Sequence, residues 1–330
     1  MSLAGVPTTV LVAPDSFKGT LSAAEVAEAV ARGLEIADWC VDRCPVADGG
    51  EGTLAALSGT IGGELTSARV ADPLGREVEA RFAIGEQGVA VVESAAASGL
   101  ALVAERDRDA VGASTYGTGQ LIVAAARAGA KTIYLGVGGS ATTDGGAGAV
   151  RAIREEGGLA GVRLTILCDV RTPFEHAARV FGPQKGADPD AVRRLTARLN
   201  RLARRLPRDP RGMPMTGAAG GLAGGLWSAL GAQLIPGAPF ILDALDFDVR
   251  MRAARAVVTG EGRLDRQSLT GKAVSEVATR ARQAGVPCHA IVACNELDAF
   301  DQRILDIQAV LEARNVNRLE HAGTRLAAVL

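Results

Sequence analysis

Apolar positions along the chain change period twice. Thr8 to Ala13 is a β-branched and aliphatic run closed by Pro14, the pattern of a fully buried strand. Ser22 with Glu25 three residues on is a capping box, and Val26, Val30 and Leu34 recur on one face, which predicts a helix over Ala23–Leu34. Val41 to Val46 reads as a second strand running towards Asp48. Strand, polar loop, helix, strand opens a parallel α/β unit.

From about Gly62 to Ala95 the period falls to two. Leu65–Val70, Val78–Ile84 and Val89–Val92 are short segments separated by Asp-Pro and Gly-Glu-Gln-Gly turns, a β-meander. A helix over Gly119–Ala128 and strands over Thr132–Val137 and Thr165–Val170 follow, the last carrying Asp169 at its end. Val192–Leu206 places Leu195, Leu199, Leu202 and Leu206 on one face and six arginines elsewhere; it reads as a solvated surface helix rather than a dock for RNA or lipid. Strands over Ala256–Thr259, Cys288–Ala293 and Ile307–Val310 restore parallel α/β character. The simplest α/β account folds residues 1–60 and 250–330 into one doubly wound domain. Residues 61–249 are then an inserted second α/β domain containing the meander.

Charge removes several function classes. Lys+Arg 36 against Asp+Glu 37 leaves a net charge of −1 over 330 residues, so no global field favours nucleic acid or an anionic membrane. Only 11 aromatic residues are present, few for base stacking. Cys40, Cys44, Cys168, Cys288 and Cys294 follow no disulfide framework and suit a reducing compartment. The stretch Gly217–Leu242 is uncharged, but its seven glycines, with Pro236 and Pro239, suit a buried loop and helix start better than a membrane span. With no basic, apolar leader at Met1 to Val10, the expected setting is cytoplasmic, as a monomer or homodimer acting on a small molecule.

Glycine is in excess, 41 of 330. It gathers beside acids, hydroxyls and lysines in Asp15-Ser-Phe-Lys18-Gly19, Asp48-Gly-Gly-Glu51-Gly52, Glu93-Ser94 to Gly99, Gly138-Gly139-Ser140-Ala-Thr142-Thr143-Asp144-Gly-Gly146, Gln184-Lys185-Gly186, Gly217-Ala-Ala-Gly220-Gly221 and Thr259-Gly-Glu261-Gly-Arg263-Leu-Asp265. Several follow predicted strands, the edge where open α/β sheets bind ligands. Glycine lets backbone N–H groups converge on phosphate, and carboxylates beside such loops call for a cation, which points to Mg²⁺. Only four of the 36 basic residues are lysine, and Lys18, Lys185 and Lys272 each adjoin a glycine. A Walker A loop is not formed, because Gly271-Lys272 is followed by Ala273. The loose dinucleotide pattern at Gly136 to Ala141 lacks a later acid for a ribose.

Taken together, these clusters resemble the glycerate kinase family that has neither a P-loop nor a ribokinase-type fold. Ala13–Thr20, Pro45–Thr53, Asp72–Gly75, Glu93–Leu100, Tyr116–Gly119, Gly138–Gly146, Cys168–Val170, Phe181–Ala187, Gly217–Gly221 and Thr259–Asp265 run in family order. The resemblance implies a flavodoxin-like domain, a second α/β domain, a site in the cleft and ATP-dependent phosphorylation of D-glycerate, most often at the 2-hydroxyl. Phosphoryl transfer needs positioning and charge neutralisation more than covalent participation. The expected roles are Asp169 as base, with Lys18, Lys185 and Asp48 also catalytic. Asp15, Ser16, Lys18, Glu51 and Arg263 are expected on the substrate. Gly138, Gly139, Ser140, Thr142, Gly217, Gly220 and Gly221 are expected on the nucleotide, and Asp144, Glu261 and Asp265 on Mg²⁺. Three segments depart from the family pattern: Arg171–Ala178, Ala273–Glu276 and Ala293–Asn295. They keep two alternatives open, a kinase for another small hydroxy acid and a family member that binds glycerate or nucleotide without turnover.

Overall fold

A computed structural model describes residues 9–269 and 271–330; Thr8, the expected first residue of the first strand, lies outside them. Two compact units are present, one formed by the chain up to Asp48 together with Ala238–Leu330, the other by Gly49–Gly237. The strands in chain order are β1 (Thr9–Pro14), β2 (Cys40–Arg43), β3 (Gly63–Ala71), β4 (Glu77–Gly85), β5 (Val89–Glu93), β6 (Thr132–Gly136), β7 (Arg163–Cys168), β8 (Gln233–Pro236), β9 (Ala256–Gly260), β10 (Arg263–Leu264), β11 (Cys288–Val292), β12 (Cys294–Asn295) and β13 (Ile307–Glu312).

The first unit holds a parallel five-stranded sheet in the order β13-β11-β9-β1-β2. Counted within the unit, that is 2-1-3-4-5, the flavodoxin-like order, whose ligand position is the reversal point at the C-terminal strand ends. Here the reversal falls between β1 and β9. Strand β1 is buried on both faces, which is why it reads as a continuous apolar run. Leu11 and Ala13 join a core with Phe247, Val274 and Val277, while Val10 and Val12 join Val26, Val30 and Leu319 on the other side. The expected capping box forms: Ser22 N donates to Glu25 Oε2 at 2.8 Å, and Glu25 N to Ser22 Oγ at 3.2 Å. The predicted second strand stops at Arg43 as a ladder, but its bonding to β1 continues through Cys44 N to Val12 O and Val46 N to Pro14 O. Asp48 therefore emerges just past the end of β1.

The second unit holds a six-stranded sheet in the order β3-β4-β5-β6-β7-β8. The first three strands are the predicted meander, antiparallel in consecutive order; β5 to β8 are parallel. Glu93 pairs with Gly136, Gly136 with Leu167, and Cys168 with Pro236, so the parallel strands end level and their loops leave one edge together. The uncharged stretch Gly217–Leu242 contains a helix (Leu222–Leu230), β8 and the start of a second helix (Gly237–Ala244). Its glycines hide both periods, and β8 was not legible. No helix among the described residues is long and apolar enough to cross a membrane.

Candidate active site

Three carboxylates gather at the reversal point of the first unit. Asp15 follows β1, and its N–H donates to Gly260 O at 2.8 Å, tying the ends of β1 and β9 together. Glu261 follows β9, and Asp48 follows the strand-like extension of β2. All three are buried. Burial and the Asp48 charge push the Asp15 carboxyl well above its usual range, against the pull of Lys18 and the Ser16 N–H. Burial also raises Glu261, which Lys272 and Lys18 partly offset. The lysines stand at ion-pair distance, Lys18 Nζ 3.6 Å from Asp48 and Lys272 Nζ 3.8 Å from Glu261. Lys272 was not among the expected site residues; its signal was the Gly271-Lys272 pair that fails as a Walker loop. The buried Ser16 hydroxyl has no hydrogen-bond partner among the described residues.

Such crowding favours the protonated form of Asp15 in the folded chain. Its stability contribution therefore falls as pH rises from the ordinary carboxylate range through the raised folded value. Asp15→Asn is expected to have a higher Tm than the natural chain at pH 8, with the difference closing as the pH is lowered towards 4. Thermal unfolding at the two pH values measures this.

In the second unit the centre is Lys185, only 2% exposed. Its Nζ donates to Ser140 Oγ at 2.9 Å and Thr142 O at 2.5 Å, so one ammonium gathers the loop after β6. Burial pushes this lysine down to about 7, with Asp144 and Asp169 pulling the other way. Asp169 directly follows β7, and its Oδ2 lies 3.5 Å from where a Cβ on Gly138 would stand. The hydroxyls of Thr142, Thr143 and Ser94 are buried without hydrogen-bond partners among the described residues. Thr143 and Ser94 were not expected site residues, and a lone Ser or Thr in a glycine loop carries no signal to mark it.

The glycines divide into two kinds. At Gly138 a Cβ would lie 2.4 Å from Gly50 Cα, and at Gly220, where φ is +65°, 2.0 Å from Thr142 O. Gly217 and Gly221 are likewise hemmed in, by Pro173 O at 2.5 Å and a Phe174 ring carbon at 2.7 Å. Gly138, Gly217 and Gly220 let segments of backbone touch, and Gly221 makes room for the Phe174 ring. Gly139, at φ +70°, has only Ala95 Cβ nearby at 3.6 Å, so its glycine serves conformation rather than packing. Gly220→Ala is expected to destabilise by more than about 3 kcal/mol, read as a loss of denaturation midpoint, because backbone must move and φ is unfavourable.

The remaining expected residues make other contacts as well. Asp144 accepts from Thr115 N and Gly146 N, and from Gly148 N at 3.0 Å, capping the helices Tyr116–Arg127 and Ala147–Glu155. Arg263, on β10, pairs with Glu296 at 3.0 Å. Asp265 caps the turn Arg266–Leu269 by accepting from Gln267 N at 2.8 Å. Glu51 is exposed in the turn before the helix Thr53–Ser58, whose Leu54 N bonds to Glu93 Oε1 at 2.7 Å. Among the described residues no three His, Cys, Asp or Glu side chains converge as a ready metal site.

One unit thus carries acids at a flavodoxin-order reversal point, and the other a buried lysine that draws a glycine loop together, in an α/β protein without a Walker sequence. Comparison with known proteins carries this further. The sequence model of the Glycerate kinase family matches residues 10–156 and 153–328. A glycerate kinase of Halalkalibacterium halodurans is 40% identical over 321 residues, covering 86% of this chain and 84% of that protein. The glycerate 2-kinase of Escherichia coli K12 is 38% identical over 316 residues, covering 84% and 83%. A crystal structure from Salmonella typhimurium LT2, assigned to glycerate kinase 2, superposes with a TM-score of 0.79 at 34% identity and covers 97% of each chain. The chain belongs to the glycerate kinase family.

Proposed function

We propose that the chain transfers the γ-phosphoryl group of ATP to D-glycerate, at the 2-hydroxyl. The observation that carries this reading is the buried Lys185 that holds the glycine loop after β6; the carboxylate–lysine cluster after β1 and β9 of the other unit supports it. Likeness to the E. coli glycerate 2-kinase supports the 2-position.

In this reading Lys185, with Ser140 and the open Gly139 turn, neutralises and orients the nucleotide phosphates, while Lys18 and Ser16 hold the carboxylate and hydroxyls of glycerate. Asp169 accepts the proton of the attacking hydroxyl, and positioning with charge neutralisation supplies most of the acceleration. Mg²⁺, when bound, would neutralise phosphate charge. Such an ion needs one or two carboxylates beside the phosphates rather than a three-acid cage. The residues fit that demand: Glu261 and Asp48 are buried acids in a crowded carboxylate group that a cation would relieve, whereas Asp144 already accepts from the N–H groups of Thr115, Gly146 and Gly148. Five free cysteines accord with action in a reducing, cytoplasmic setting.

The test is ADP release from Mg·ATP with and without D-glycerate, followed by identification of the phosphoglycerate isomer. Glycerate-dependent release of 2-phosphoglycerate is the expected result. ATP binding without release across a panel of small hydroxy acids would replace this reading with a non-catalytic one.

A further inference from the structure

A groove of about 320 Å³ runs along the helix Ala147–Glu155, against the end of the helix Pro189–Ala203. Val150, Leu202 and Leu206 give it an apolar floor, and Arg151, Arg154 and Arg205 stand around it. Its one acid is already engaged: Glu155 accepts from Tyr116 OH at 2.6 Å and faces Arg151 at 3.7 Å. Arg151 also lies over the Tyr116 ring, 4.7 Å from its centroid. Neither Arg154 nor Arg205 has an ion pair among the described residues. The N–H groups of Gly146 and Gly148 at the head of the helix are held by Asp144, so recognition in this groove falls to guanidinium groups and hydrocarbon.

We propose that this groove is a second ligand site of the chain, for an organic phosphate of mononucleotide size. Of the three guanidinium groups around the cavity, Arg151 is paired with Glu155 while Arg154 and Arg205 have no ion pair among the described residues, which calls for an anion, and their planar forks match phosphate oxygens bidentately. Inorganic phosphate would gain nothing from the aliphatic floor, and a hydrocarbon would leave the arginines unneutralised. A planar base on the floor with its phosphate on the rim uses both. The volume falls within the range of small-ligand pockets. None of the residues holding Lys185 or the carboxylate cluster lines it, so occupancy is separable from phosphoryl transfer.

AMP, neither donor nor product of the proposed transfer, is the probe, titrated calorimetrically into the full chain and into the double variant Arg154→Glu/Arg205→Glu. The natural chain is expected to bind AMP, with affinity at least tenfold weaker in the double variant, while kcat and the KM for ATP stay within twofold. Leu206→Glu, which removes floor and leaves the arginines, is expected to weaken AMP by a similar factor. The proposal is overturned if the natural chain gives no AMP binding at millimolar concentration, or if the double variant binds AMP as well as the natural chain. A rise in the KM for ATP matching the loss of AMP affinity would also overturn it, because the groove would then be the donor's own site.

Discussion

Replacing Lys185 by Met is expected to lower kcat/KM for ATP by about 10²–10³, the range for loss of one preorganised charge-stabilising donor. The ammonium is buried, and among the described residues its hydrogen bonds run to Ser140 Oγ and Thr142 O. Burial has lowered it to about 7, so the free enzyme loses this positive charge as pH rises through neutrality. Phosphate oxygens favour the charged form; ATP binding at pH 8 should therefore take up protons, seen as a buffer-dependent heat, and kcat/KM for ATP should decline above pH 7. Stability follows the opposite course. Between about 7 and the ordinary lysine value the unfolded chain binds this proton and the folded chain does not, so stability rises with pH across that window. Below it the folded chain carries a buried charge that, at about 1.4 kcal/mol per pH unit, costs on the order of several kcal/mol. Lys185→Met lacks that cost but leaves two buried acceptors unsatisfied, about 1–3 kcal/mol each. Relative to the natural chain the variant is thus expected to have its highest Tm at pH 6 and its lowest at pH 9. Parallel melts of the two proteins across that range measure the difference.

Asp169→Asn is expected to reduce kcat by about 10²–10⁴ with little change in the KM for either substrate, as for removal of a general base that acts only in the transition state. The position supports the role: Asp169 is the first residue past β7 and lies beside Gly138. Its charge also supports the protonated form of Lys185. That second effect gives the experiment its discrimination. With Asp169 neutralised, Lys185 loses its proton at a lower pH, so the alkaline decline of kcat/KM for ATP should move downward. If Asp169 only supported the lysine, activity would return as the pH was lowered until Lys185 is charged in the variant as well. Persistence of the loss down the acid limb of the profile identifies the base; full recovery leaves Asp169 as a positioning residue.

Much of the scaffold was legible because its signals are local. The capping box at Ser22 and Glu25, the four-residue recurrence through Leu34 and the period-two segments before Glu93 each depend on residues a few positions apart. They produced the helix Ala23–Glu35 and the meander β3-β4-β5. The uncharged Gly217–Leu242 stretch was opaque for the reverse reason. Its glycines are chosen by remote backbone: a Cβ on Gly225 would meet Gly145 O at 2.2 Å, a contact between residues 80 positions apart that no window of sequence contains.

The sequence by itself determined the inventory, namely which strand ends carry acids, which loops carry glycine, and that lysine is kept beside them. Order and type of side chain along one strand and its loop are local properties, and local propensity decides them. Tertiary structure alone decided the allocation. The 2-1-3-4-5 strand order brings Asp15 and Glu261 together across 246 residues of chain. Burial, which depends on everything packed around a group, moved Asp15 up and Lys185 down. Asp144, an acid of the same outward type, accepts bonds at two helix ends and also acts on the charge of Lys185. A carboxylate's chemistry is set by its surroundings in three dimensions, and for these acids the surroundings come from segments far away in sequence.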